Sequence, residues 1–147
     1  MLIAHLTDPH IGLNPAELGG RADPVEGLRR ALVHVRTLDP APDVLLLSGD
    51  LTECGREQDY ATIGQLLSQE LPHAATGGPR VLAVPGNHDQ PLVARRLLSE
   101  LMPQAADAPP DQVCMHVEHG GLHFIGLNTV SPGHAHGVLG AAQLDWL

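Results

Sequence analysis

Val81-Leu82-Ala83-Val84-Pro85-Gly86-Asn87-His88-Asp89 decides the fold. An unbroken apolar run is stopped by a Pro-Gly pair, and side chains able to bind a metal or carry a proton follow at once. A continuous apolar run this short suits a strand of a parallel sheet covered on both faces, because a strand with one wet face would alternate. Two earlier stretches have the same form. Leu2-Ile3-Ala4-His5-Leu6 runs into Thr7-Asp8-Pro9-His10, and Val44-Leu45-Leu46-Leu47 runs into Ser48-Gly49-Asp50.

Helical patterns fill the gaps. Asp23-Pro24-Val25-Glu26 combines an acidic cap, a proline at the first helical position and a capping-box glutamate, and Val25, Leu28, Leu32 and Val35 then make an apolar stripe. Tyr60, Ile63, Leu66 and Leu67 do the same for a second helix, which Pro72 stops. Leu92, Leu97, Leu98 and Leu101 predict a third, ended before Pro103. After a loop at 103–111, the segments Val113–His119 and Leu122–Asn128 flank Gly120-Gly121, a two-residue hairpin turn that needs positive φ. The predicted order is β-α-β-α-β-α-β-β followed by a helix start, an α/β fold of parallel strands with crossover helices and a terminal β-hairpin. One domain, 1–147, with no internal repeat is expected.

Composition narrows the function classes. The chain has 147 residues, enough for one core, and 43% are hydrophobic. Tyr60, Phe124 and Trp146 are its only aromatic residues, so that core must be aliphatic. All eight basic residues are arginines against seventeen acids, a formal charge of -9, which argues against a nucleic-acid or anionic-membrane surface. Bound cations would offset part of that excess. Nothing approaches the roughly 18 apolar residues of a membrane span. Cys54 and Cys114 are too few for a disulfide scaffold or a thiolate zinc site. The expectation is a soluble, cytoplasmic, thiol-reduced protein.

In an open α/β sheet, ligands bind beyond the carboxyl ends of the strands. Asp8, His10, Asp50, Asn87, His88 and Asp89 all fall there. Asp8 and His10, two apart in an extended segment, are expected to project to the same side and share one cation. Asp50 has two oxygens with which to bridge two cations, and Asn87 offers an amide oxygen to the second. Oxygen and imidazole donors without thiolate favour Mn, Fe, Zn or Mg over a thiolate zinc site, and of these Mn or Fe is the expected pair of ions. Two such ions ~3.5–4 Å apart would generate a hydroxide nucleophile and clamp an in-line displacement at phosphorus. His88 is placed to face the leaving group, with Asp89 setting its tautomer.

Asp8-Pro9-His10, Gly49-Asp50-Leu51-Thr52 and Gly86-Asn87-His88-Asp89, in this order, resemble the first three motifs of the calcineurin-like metallophosphoesterases. Within that superfamily the likeness is closest to the bacterial class III cyclic-nucleotide phosphodiesterases. Pro42-Asp43-Val44, Asp59-Tyr60, Gly126-Leu127-Asn128-Thr129 and His136-Gly137 with Gln143-Leu144-Asp145-Trp146-Leu147 support it. The resemblance implies the N-terminal half of an α-β-β-α sandwich. It implies a first metal on Asp8, His10 and Asp50, a second on Asp50 and Asn87, and Asn87 and His88 against the phosphate, with His88 assisting the leaving group. The substrate implied is a small phosphodiester, a cyclic nucleotide such as cAMP foremost. The family's later histidine ligands have no counterpart, so the second metal site is expected to be incomplete and the domain truncated at its C-terminus. Two classes stay open: a dinuclear phosphodiesterase, or a catalytically incomplete fragment that acts as a metal-binding or interaction module. Self-association through an exposed sheet edge is expected in either case.

Gly133-His134-Ala135-His136 has the form of a two-histidine metal grip. It lies between the hairpin and the last helix, however, and is expected to be a loop. His5, His116 and His123 in strands, His34 in a helix and His73 in a loop are read as surface or core histidines. The Gly-Gly turn places Glu118 opposite His123 as a cross-strand pair.

Overall fold

The three apolar runs form parallel strands: β1 (Ile3–Leu6), β2 (Val44–Ser48) and β3 (Arg80–Val84) lie side by side in that order in the computed structural model, which describes residues 1–20 and 22–147. Ile3 pairs with Val44 and Val44 with Arg80, so the strands end nearly level. Helices α1 (Pro24–Arg36) and α2 (Glu57–Glu70) make the two crossovers. Leu45, Leu47 and Ala83 point into the core formed with Leu28, Leu32 and Val35 of α1 and Ile63, Leu66 and Leu67 of α2. Their neighbours Val44 and Leu82 point the other way, onto Met115. The alternation explains the unbroken apolar runs, since both faces of β2 and β3 are covered. The free edge strand β1 keeps Ile3 and His5 exposed.

The second layer is the hairpin β4 (Cys114–His119) and β5 (Leu122–Leu127). Gly120 and Gly121 have φ of 57° and 78°, the left-handed pair that a two-residue turn requires. A Cβ on Gly126 would lie 2.9 Å from Val84 Cγ1, so glycine lets β5 settle against β3. A short helix, α4 (Ala141–Trp146), is keyed to the hairpin by the buried amide of Gln143, which donates to Cys114 Sγ at 3.7 Å.

Two local expectations are met in detail. Asp23 Oδ1 accepts from the amides of Val25 and Glu26 at 2.9 and 3.3 Å, and α2 stops at Glu70, before Leu71-Pro72. The third helix is shorter than its leucine spacing suggests. Helix α3 covers only Pro91–Leu97, with Leu92 and Leu97 exposed and Ala94 and Leu98 buried. The reason is tertiary: the Leu101 carbonyl accepts from Ala83 N at 2.9 Å, which caps the outer edge of β3 and draws 98–102 out of helical geometry. Among the described residues, no helix is long and apolar enough to cross a membrane.

Candidate metal centre

Beyond their last strand residues the chains stay paired. Asp8 N donates to Gly49 O at 3.3 Å, His10 N to Asp50 O at 3.0 Å, Ile11 N to Leu51 O at 3.1 Å and Gly49 N to Val84 O at 2.9 Å. Side chains on these segments stand on a hydrogen-bonded platform, with Ile11, Leu51 and Thr52 buried beneath. Among the described residues, the non-glycine residues with positive φ are Asp8 (55°), His10 (44°) and Asp50 (45°). Such backbone costs on the order of 1–3 kcal/mol per residue and persists only where the surroundings enforce it. The convergence of Asp8 and His10 therefore comes from left-handed turns, and not from the extended alternation expected.

His10 Nε2 lies 3.8 Å from Asp8 Oδ1 and 3.8 Å from Asp50 Oδ2. One ligand atom from each of the three residues falls within 4.8 Å of the others. Ligands about 2.0–2.2 Å from one ion sit up to about 4.4 Å apart, so this donor set fits a single divalent cation. The other ring nitrogen, His10 Nδ1, is 2.7 Å from Glu53 Oε2. A proton held there leaves the Nε2 lone pair towards Asp8 and Asp50, the arrangement by which an outer carboxylate orients a metal-binding histidine. Sequence reading missed Glu53. Its signal was an acid directly after Gly49-Asp50-Leu51-Thr52, at a strand end where side chains face the site.

His88 is attached to the same frame. Its backbone N–H donates to Asp50 Oδ1 at 3.0 Å, and its Nδ1 lies 3.0 Å from the Glu53 carbonyl and 3.6 Å from Glu53 Oε1. The ring meets that of His10 edge-on, centroids 4.9 Å apart. The Glu53 carbonyl raises the His88 pKa above the usual histidine value; burial opposes this, and the charges of Asp50, Glu53 and Asp89 add to it. Asn87 is exposed in the same turn. A Cβ on Gly86 would fall 2.2 Å from Asp50 N, so that turn can approach Asp50 only with glycine there.

Asp89 does not contact His88. Its buried carboxylate accepts from the amides of Leu51, Thr52 and Gly86 at 2.9, 3.0 and 2.9 Å, and from the hydroxyls of Thr52 and Tyr60, both at 3.0 Å. It ties the turn after β3 to the turn after β2, and the contact expected of it at His88 Nδ1 is made by Glu53. Burial pushes the Tyr60 phenol up to about 12, with the charge of Asp89 adding to it.

His134 and His136 lie in an exposed loop, rings 4.8 Å apart, with His134 Nδ1 turned to the Pro132 carbonyl at 3.0 Å. Neither belongs to the two metal-competent groups found among the described residues, Asp8–His10–Asp50 and His10–Glu53–His88.

Residues 1–137 match the calcineurin-like phosphoesterase family. The chain is 34% identical over 146 residues to a cAMP/cGMP dual specificity phosphodiesterase of Mycobacterium tuberculosis, covering 99% of this chain and 43% of that protein. It is 29% identical over 147 residues to a glycerophosphodiester phosphodiesterase of Enterobacter lignolyticus, covering 100% and 50%. It is 26% identical over 145 residues to a 3',5'-cyclic-nucleotide phosphodiesterase of Nostoc, covering 99% and 49%. The chain thus spans about half the length of the curated relatives it matches.

Proposed function

The chain belongs to the calcineurin-like phosphoesterase family, and from that premise we propose that it carries the metal-binding frame of a phosphodiesterase acting on a small phosphodiester, a cyclic nucleotide such as cAMP foremost. Asp8, His10 and Asp50 would hold one divalent ion, Mn or Fe before Zn or Mg, and Asp50 with Asn87 a second. When bound, such ions supply Lewis acidity and lower the pKa of water. The protein's own residues do the rest. Glu53 keeps His10 Nε2 directed at the two carboxylates. His88, with Nδ1 against the Glu53 carbonyl, has Nε2 as the nitrogen able to meet a phosphate oxygen and give the leaving group its proton. Asn87 offers its amide to the same phosphate.

One observation carries this reading: left-handed backbone at Asp8, His10 and Asp50 brings two carboxylates within 3.8 Å of one imidazole nitrogen. The relatives' names support the substrate class, which spans cyclic nucleotides and glycerophosphodiesters. The test is a Mn2+ titration of the chain with parallel assays on cAMP and an aryl phosphodiester. Saturable Mn2+ binding that is lost in Asp50→Ala is the expected result, and turnover of either ester beside it selects the enzyme. Undiminished Mn2+ binding by Asp50→Ala overturns it.

A second reading is a metal-binding or interaction module without turnover, supported by a group, Asp8–His10–Asp50, that can hold one ion by itself. Metal binding without hydrolysis in that experiment selects it. Exposed Met1, Leu2 and Ile3 at the edge strand, with Leu122 and Ile125 on the hairpin, support self-association, which light scattering after gel filtration measures.

A further inference from the structure

The hairpin carries two imidazoles in direct contact, remote in sequence from the strand ends. Met115, Val117 and Phe124 face the parallel sheet, so the alternate residues His116 and Glu118 of β4 and His123 and Ile125 of β5 face outward, and all four are exposed. His123 stands directly opposite Glu118, as the turn predicts, yet its ring goes to the diagonal neighbour His116. His116 Nε2 and His123 Nδ1 are 2.9 Å apart, with rings inclined at 27°.

We propose that His116 and His123 chelate one divalent cation of the zinc, copper or nickel class on the outer face of the hairpin, with water completing its coordination. Imidazole nitrogens about 2.0–2.1 Å from a cation stand about 2.9 Å apart for a right-angled chelate and about 3.4 Å apart for a tetrahedral one. The observed separation meets the first value and needs about 0.5 Å of movement to reach the second. Without a cation, the contact consists of one shared proton: one ring donates and the other accepts. A cation takes the place of that proton, and each neutral ring then carries its own N–H on its remaining nitrogen, His116 Nδ1 and His123 Nε2. Glu118, opposite His123 on the same face, supplies negative charge beside the pair. A pair of imidazoles suits Zn, Cu and Ni, with Cu bound most tightly. Joining β4 to β5, a bound ion would also stabilise the hairpin by mass action. No residue of this group belongs to the Asp8–His10–Asp50 set, so the proposal is independent of the phosphodiesterase reading.

The test is a Zn2+ titration of the full chain followed by the imidazole nitrogen resonances of individual histidines. His116 and His123 are expected to move together to a one-to-one end point, in the unaltered chain and equally in Asp50→Ala. His116→Asn should weaken the response read at His123 by at least about tenfold, and His123→Asn should do the same to His116. Either variant suffices, provided the cross-strand amide signals of the hairpin persist. An unchanged response at the remaining histidine, or no response of either ring up to a large excess of Zn2+ over the chain, overturns the proposal.

Discussion

Glu53 Oε2 stands 2.7 Å from His10 Nδ1, on the side of the ring away from Asp8 and Asp50. That contact determines which nitrogen of His10 is available to a cation. Glu53→Ala is expected to weaken Mn2+ binding about 10–100-fold, and Glu53→Gln, which can still accept the Nδ1 proton, by less. Calorimetric titration with Mn2+ checks both. Equal losses in the two variants would mean that charge matters there and orientation does not.

Asp50→Ala is expected to abolish hydrolysis of an aryl phosphodiester by an active form of the protein, because the proposed bridge to both ions goes with it. Asn87→Ala is expected to lower occupancy of the second ion first. Metal content by elemental analysis, measured beside turnover, separates the two. Near-normal turnover by Asp50→Ala would refute the two-ion assignment.

His88 holds to the frame through its own backbone and the Glu53 carbonyl, so His88→Ala should leave metal binding intact. As a proton donor it should be worth ~10²–10⁴-fold on esters with poor leaving groups, and less on a nitrophenyl ester, whose departing oxygen hardly needs a proton. A comparison of the two substrates decides it, since an equal loss on both points to phosphate binding alone.

Asp89 is surrounded by backbone and hydroxyl donors, and those donors have no alternative partner in the core. Asp89→Ala leaves them buried and unsatisfied and is expected to cost at least about 3 kcal/mol, at 1–3 kcal/mol for each such group. Urea unfolding measures it. A loss under about 1 kcal/mol would show that water enters to replace the carboxylate.

Tyr60 is the only tyrosine in the chain, so tyrosinate absorbance reports one site. Burial holds its pKa at about 12 in the folded protein, against an ordinary value of 10.0. Between those values the folded state retains a proton that the unfolded state has lost, so stability is complete below pH 10 and falls as pH rises towards 12. Spectrophotometric titration should give an ordinary midpoint in denaturant and a delayed one in native buffer. Coincident midpoints would mean that the phenol is solvated.

Periodicity and turn chemistry are local properties, and what they govern was legible in the sequence. The unbroken apolar runs became β1, β2 and β3 because both faces of the sheet are covered at β2 and β3. The stripes Leu28-Leu32-Val35 and Ile63-Leu66-Leu67 became the buried faces of α1 and α2, and Gly120-Gly121 became the hairpin turn. Strand-end position also put Asp8, His10, Asp50 and His88 in one place. Tertiary structure decided how those side chains converge and which groups support them. Left-handed backbone at Asp8, His10 and Asp50 is enforced by hydrogen bonds between segments some 40 residues apart, such as His10 N to Asp50 O, and no residue spacing encodes it. The same holds where α3 gives way because Leu101 caps β3, where Asp89 turns inward to Thr52 and Tyr60, and where His123 reaches past Glu118 to His116. At Leu101 and Asp89 a polar group took its partner from another element, and that choice exists only once the layers have packed.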